Sequence, residues 1–317
     1  MNQTALENET FASSTGAQLQ LYSAVPIGDI QLVIVISHGL SEHAARYAPF
    51  MLALAEAGIA AYAHDHRGHG KTTAPDAAPR TFAQEGGAKK VLDDLAAIRE
   101  EAARRHPGKP IIVFGHSMGG LIALNHAMDH PDDLAGLVVA NSDFRAGPLI
   151  AIAKAALAWQ RFRKGSDAEE TIIKRLTFDA WNEQVGEGRT EADWLSRDPA
   201  QVDAFIADPD CGWLPTVSMW RDLFRFVEGG ADDERLKRLP ANLPVLLIGG
   251  GQDPATRRAT ATRELYARME KRGMTDVTLR IDENHRHETL NEIDRKAVMA
   301  ELIEWFRTVS TERKTNR

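Results

Sequence analysis

The pentapeptide Gly115-His116-Ser117-Met118-Gly119 fits the pattern G-x-S-x-G. A strand-like run, Ile111 to Phe114, precedes it, and a helix-like stretch, Met118 to Met128, follows directly. A sharp strand-to-helix turn of small residues would hold Ser117 exposed with a helix N-terminus behind it. The bland reading is a glycine turn with a surface serine, and the flanks argue against it. A hydroxyl attacks a carbonyl only when a base takes its proton. After such a turn the partners are expected later in the chain, an acid first and then a histidine. The apolar run Val245 to Ile248, three glycines and Gln252 lead to Asp253, with Pro254 fixing the turn. Asp253 would hold an imidazole in one tautomer and stabilise the imidazolium. By position alone it could also be a turn or helix-cap aspartate. Glu283-Asn284-His285-Arg286-His287-Glu288 offers two bases, and these residues by themselves do not choose between His285 and His287. The oxyanion formed during attack needs preorganised N–H donors. The Met118 amide is one. The Leu40 amide, in His38-Gly39-Leu40 just past another apolar run, is the expected other, the alternative being that His38-Gly39 is a plain turn.

Those residues need a scaffold that brings distant segments to one edge. Leu32 to Ser37, Ile59 to His64, Ile111 to Phe114 and Leu137 to Ala140 read as strands, the first so apolar that both its faces must be covered. Between them Tyr47 to Ala57, Gly87 to Arg105 and Met118 to Met128 read as helices. This alternation implies a mostly parallel sheet with helices on both faces. The rhythm stops from Asn141 to Leu243, where the patterns are helical. It resumes with strands at Val245 to Ile248 and Val277 to Ile281 and helices at Thr260 to Arg272 and Arg295 to Thr308. The expected organisation is an α/β core over 1–141 and 244–317, interrupted by a helical cap or lid over 142–243. An insertion after a strand's C-terminal end sits where open α/β sheets bind ligands.

Composition closes off other classes of function. The 317 residues carry a net charge of −7 and no long basic run, which excludes a nucleic-acid partner as the expectation. With one cysteine, Cys211, neither an internal disulfide nor a multi-cysteine zinc site is expected. No apolar run is long enough to span a bilayer, and Met1 to Ser14 lacks the basic start and apolar stretch of a secretory signal. A cytoplasmic protein, at most peripheral at a membrane, is the expectation.

Several blocks together resemble a known family. They are His38-Gly39-Leu40-Ser41-Glu42-His43 with Arg46-Tyr47, His64-Asp65-His66-Arg67-Gly68-His69-Gly70, and Gly115 to Gly120. Within the insertion, Asp193-Trp194-Leu195-Ser196-Arg197-Asp198 and Asp208-Pro209-Asp210-Cys211-Gly212-Trp213 belong with them. The chain from about Phe11 to Phe306 resembles the monoacylglycerol lipase and lysophospholipase group of α/β-hydrolases, also labelled serine aminopeptidase S33-like. The resemblance implies an α/β-hydrolase fold with a lid. It implies a serine esterase that forms an acyl-enzyme on monoacylglycerols, lysophospholipids or similar small acyl esters, with no cofactor. It selects His287, five residues before Glu292 as in the family, and keeps Leu40 as the second oxyanion donor. Two departures stand out: Ser41 replaces the usual glycine before Glu-His, and Asp210 replaces an apolar lid residue.

His64, His66 and His69 match no fixed zinc pattern, so no metal site is expected. Cys211 is expected in a wall or core. The apolar stretch Leu149 to Trp159, followed by Arg161, Arg163 and Lys164, either lines an acyl tunnel or touches lipid, or it packs on the body or on a second copy. An aminopeptidase would want carboxylates such as Asp208 and Asp210 near the substrate's amine. A non-catalytic binding protein on the same fold is the reading from another class.

Overall fold

Alternating side chains decide how the sheet is dressed. In the computed structural model, which describes residues 5–169 and 171–315, eight strands form one sheet in the order β1-β2-β4-β3-β5-β6-β7-β8. The strands are β1 (Leu6–Ala12), β2 (Gln18–Ala24), β3 (Leu32–Ser37), β4 (Ile59–His64), β5 (Ile111–His116), β6 (Gly136–Ala140), β7 (Val245–Gly250) and β8 (Val277–Asp282). Pairing is parallel from β4 through β3 to β8, as the apolar runs predict. β1 and β2 add an antiparallel edge that the sequence reading did not anticipate. The signal was there in the period-2 alternation of Gln18-Leu19-Gln20-Leu21.

Successive side chains of β3 enter opposite cores, Val33 and Val35 one, Ile34 and Ile36 the other. The second core is closed by α1 (Ala48–Glu56), whose Phe50 and Leu54 are buried. The first is closed by α2 (Gly87–Arg105) and α3 (Met118–Asp129), through Val91, Leu95 and Ile122.

Among the described residues between β6 and β7 the regular elements are helices joined by loops, with one isolated bridge between Glu169 and Thr216, and the helices are of two kinds. The outer part holds α4 (Pro148–Lys164), α5 (Thr171–Lys174), a π-helical turn at Arg175–Asp179, α6 (Ala180–Val185) and α7 (Pro199–Ala207). The side chain of Leu149 lies outside the described residues. The later part, α8 (Val217–Ala231), is capped by the Thr216 hydroxyl and buries Val217, Met219 and Phe226 in the same core as α2 and α3. It is a body helix, followed by the short α9 (Asp233–Leu236). After β7, α10 (Thr260–Lys271) adds Leu265 to the first core, and α11 (Arg295–Thr315) adds Leu302 and Phe306 to the second. Among the described residues no helix is long and apolar enough to cross a membrane.

Candidate active site

Ser117 lies between β5 and α3 with φ 54° and ψ −119°, a backbone conformation that a non-glycine residue holds only under constraint. The constraint is close packing on glycine. A Cβ at Gly115 would strike the backbone of Gly119, and one at Gly119 would strike the Ser37 carbonyl at the end of β3. The Ser117 amide donates to the Ala140 carbonyl (2.8 Å), and the Ser142 hydroxyl donates to the Ser117 carbonyl (2.7 Å). The turn is thus fixed from β3 on one side and β6 on the other.

The Ser117 hydroxyl lies 2.8 Å from Nε2 of His287, and His287 Nδ1 lies 2.9 Å from the Asp253 carboxylate. A carboxylate only accepts, so the proton sits on Nδ1 and Nε2 faces the hydroxyl as an acceptor. Asp253 is fully buried and also accepts from the Thr256 hydroxyl (2.7 Å) and the Ala255 amide (2.9 Å). Burial of His287 favours its neutral form, but Asp253, with Glu288 and Glu42 farther off, outweighs it and raises the pKa. His285 is turned elsewhere, with its Nε2 on Asp294 at 2.8 Å. Asn141, at the end of β6, donates to the His287 carbonyl and accepts from the Gly250 amide (2.9 Å). It ties the His287 loop to the exits of β6 and β7. Sequence reasoning passed over Asn141 and Thr256, whose only signal was a position at a strand exit or beside Asp253.

The loop after β3 is held just as firmly. Glu42 accepts from the Gly39 amide (2.6 Å) and the Tyr47 hydroxyl (2.9 Å). Arg46 joins Glu42 (2.5 Å) to both oxygens of Glu288 (2.6 and 2.7 Å). Burial alone would raise the Glu288 carboxyl, yet Arg46 brings it down to about 2. This buried ionic chain runs from the amide beside Leu40 to the residue beside His287. The Leu40 amide has no acceptor among the described residues, and the Met118 amide, at the first position of α3, has none within its own helix. His38 Nδ1 lies 2.8 Å from the Gly39 carbonyl and its Nε2 accepts from the His66 amide (2.9 Å), so its ring is neutral. His64, His66 and His69 are buried beneath this loop, His66 and His69 packed ring to ring with His38. Ser41 takes φ 56°, which accounts for the glycine usual there. Its hydroxyl donates to the Trp213 carbonyl (2.8 Å), a contact with the cap that glycine lacks.

A cavity of about 520 Å³ opens above Ser117. Leu40, Met118 and Leu121 line it from the body, and Ile150, Phe178 and Trp194 from the cap. The cap segment Asp193 to Asp198 is bolted to the loop that carries His287. Glu288 N donates to the Leu195 carbonyl (2.8 Å), Arg286 to the carbonyls of Asp193 (2.7 Å) and Ser196 (3.2 Å), and Arg197 to Glu292 (3.0 Å). The Trp194 ring rests 4.8 Å from the His287 ring. From α4 it is Ile150 that faces the cavity, with Leu157 buried one heptad on. Ile152 and Trp159, on the opposite side of the helix, are 65 % and 60 % exposed, and Phe162 is 84 % exposed. The two readings of Leu149 to Trp159 thus fall to different faces of one helix, one toward the cavity and body and one toward solvent, as 3.6 residues per turn dictates. Asp208 and Asp210 do not line the cavity. Cys211 is a buried wall residue, as expected.

A family profile described as serine aminopeptidase, S33, matches residues 28–294. The chain is 30 % identical over 311 residues to the monoacylglycerol lipase of Mycolicibacterium smegmatis, which spans 94 % of this chain and 95 % of that one. It is 28 % identical over 265 residues to the monoglyceride lipase of Homo sapiens, covering 83 % and 77 % of the two chains. A highly thermostable carboxyl esterase from Bacillus coagulans, solved in complex with glycerol, superposes with a TM-score of 0.86 at 25 % identity, over 97 % of this chain and all (100 %) of the other. A lipase in an open form superposes with a TM-score of 0.82 at 26 % identity, over 96 % and 99 %.

Proposed function

We propose, from the premise that this chain belongs to the serine aminopeptidase S33 family and is a serine hydrolase of the α/β-hydrolase fold, that it cleaves small acyl esters through an acyl-enzyme on Ser117. Monoacylglycerols are the substrates of first choice, because the two relatives named above are a monoacylglycerol lipase and a monoglyceride lipase, and lysophospholipids follow as similar single-chain acyl esters. The observation that carries this reading is the relay Ser117–His287–Asp253, with distances of 2.8 and 2.9 Å, at the floor of a largely apolar cavity. Ser117 attacks the carbonyl as His287 takes its proton. The Leu40 and Met118 amides hold the oxyanion. His287 returns the proton to the leaving alcohol, and water then releases the acid by the same relay. Asp253 keeps the imidazole in its tautomer throughout. The chemistry calls for no cofactor and no catalytic metal.

In this reading 142–216 is the cap proper and α8 belongs to the body. The exposed Ile152, Trp159 and Phe162, flanked by Arg161 and Arg163, support transient contact of the cap with a lipid surface. Aminopeptidase action has weaker support. The carboxylates that line the cavity are already paired, Asp143 with Arg257, Asp179 with Lys174, and Glu42 and Glu288 with Arg46. Only Glu191, at 3.9 Å from Lys174, is loosely held. A free substrate amine therefore finds little uncommitted negative charge. The test is a fluorophosphonate label followed by a panel of nitrophenyl esters, monoacylglycerols, lysophospholipids and aminoacyl anilides. Labelling at Ser117 with ester turnover is expected. An unlabelled protein would point to a binding role, and preference for anilides to a peptidase.

A further inference from the structure

Among the described residues one set of potential metal ligands converges outside the relay: His43, Asp208 and Cys211, whose ligating atoms all lie within 4.8 Å of one another. We propose that these three side chains form a binding site for a borderline divalent transition metal, zinc foremost, that fastens the cap to the loop after β3. His43 comes from that loop. Asp208 and Cys211 come from the cap segment after α7, so the trio bridges two parts of the chain that the sequence separates by 165 residues or more.

The donor set is one imidazole nitrogen, one carboxylate oxygen and one sulfur. That is zinc chemistry, with a tetrahedral fourth position left for water, and it is poor chemistry for magnesium or calcium, which want oxygen alone. His43 Nε2 and Asp208 Oδ2 are hydrogen-bonded at 2.9 Å, so zinc would replace the proton they share and open the pair only slightly, to the ~3.3 Å between two tetrahedral ligands. The second Asp208 oxygen is held by the Asp210 amide (2.9 Å), which fixes the carboxylate's orientation. Gly212 N donates to the Ser41 carbonyl (2.9 Å) and the Ser41 hydroxyl donates to the Trp213 carbonyl (2.8 Å), which fixes the cap segment on the loop after β3. An ion would meet preorganised ligands.

Local charge points the same way. Burial, and then the carboxylates of Glu42, Asp208 and Glu288 against the single cation Arg46, keep the Cys211 thiol protonated, so zinc would displace that proton on binding. Arg46 is committed to both glutamates. The carboxylate of the buried Asp65 lies within electrostatic reach of His43 and Asp210. Excess negative charge around a site open to solvent at His43 and Asp208 favours a cation. The ion has no part in ester cleavage, so chelation should not lower activity.

The chain has a single cysteine, which makes the test specific. Full-length protein, stripped with a chelator, is titrated with zinc against a chromogenic zinc indicator and separately with cobalt(II). One equivalent of zinc should bind and raise the melting temperature, unopposed by millimolar magnesium or calcium. Cobalt should give the near-ultraviolet thiolate charge-transfer band, which can arise only at Cys211. Asp208→Asn and His43→Gln should each weaken zinc binding by roughly tenfold or more, and Cys211→Ser should abolish the band while conserving side-chain size. Melting curves of the three variants confirm that they fold. The proposal is overturned if zinc binds no more tightly than magnesium, if the band is absent, or if zinc affinity is the same in Asp208→Asn and His43→Gln as in the parent.

Discussion

Ser117 and His287 meet at 2.8 Å, and a serine without its base, or a base without its serine, leaves little beyond oxyanion binding. Ser117→Ala and His287→Ala should each lower turnover of a short nitrophenyl ester by at least ~10³-fold with the fold intact by circular dichroism. His285→Ala should cost less than about tenfold, since its ring pairs with Asp294. Retained activity in Ser117→Ala would assign the nucleophile elsewhere. The base must be neutral to work. Burial lowers the His287 pKa, but Asp253 and its neighbours raise it above the ordinary 6.5. As pH falls, kcat/KM should therefore reach its half-point above pH 6.5, and a half-point below that value would mean that Asp253 does not dominate. At this scale turn chemistry placed Ser117 and Asp253 at strand exits, and the structure brings both to His287. The sequence was silent between His285 and His287, because two residues of spacing say nothing about which ring faces the serine. Only the family resemblance preferred His287.

Elements with strong periodicity could be read at once, and those whose identity depends on partners could not. The all-buried β3 to β7 announced themselves by composition. β1, mostly exposed and polar, exists because β2 offers it a ladder, and no local pattern reveals that. Likewise the helical insertion was visible, but α8 as a body helix was not, since a helix face names no neighbour. The split faces of α4 lead to a sharp expectation. Ile150 faces the cavity and Ile152 faces solvent. Ile150→Ser should flatten the rise of kcat/KM with acyl length, worth up to ~0.8 kcal/mol per buried methylene, and leave acetate esters nearly untouched. Ile152→Ser should leave the chain-length series in detergent-free solution unchanged. Equal losses on acetate and long chains in Ile150→Ser would make that face packing alone.

The whole molecule carries an unusual load of buried neutral imidazoles. Burial lowers the pKa of His38 and His66 well below 6.5, of His64 and His69 to about 4, and of His116 and His126 to about 3. Once unfolded, each takes up a proton below 6.5 that the folded chain refuses. Stability therefore falls as pH drops, by about 1.4 kcal/mol per pH unit for each ring once the unfolded form is mostly protonated. His287 has the opposite sign, adding stability below 6.5 that is lost as pH rises through its raised folded pKa. Six rings outweigh one, so the melting temperature should drop steeply between about pH 6.5 and 5, and a flat profile there would show that these rings protonate in the folded state. The cavity walls hold one more consequence. Trp181, Trp194, Trp213 and Trp220, out of the chain's six tryptophans, surround the space above Ser117. The protein is thereby its own optical sensor of occupancy. A non-hydrolysable ester analogue that displaces water from those indoles should shift the intrinsic emission to the blue in step with the loss of activity, with no label attached, while Trp159 on the outer face of α4 keeps a constant red-edge background.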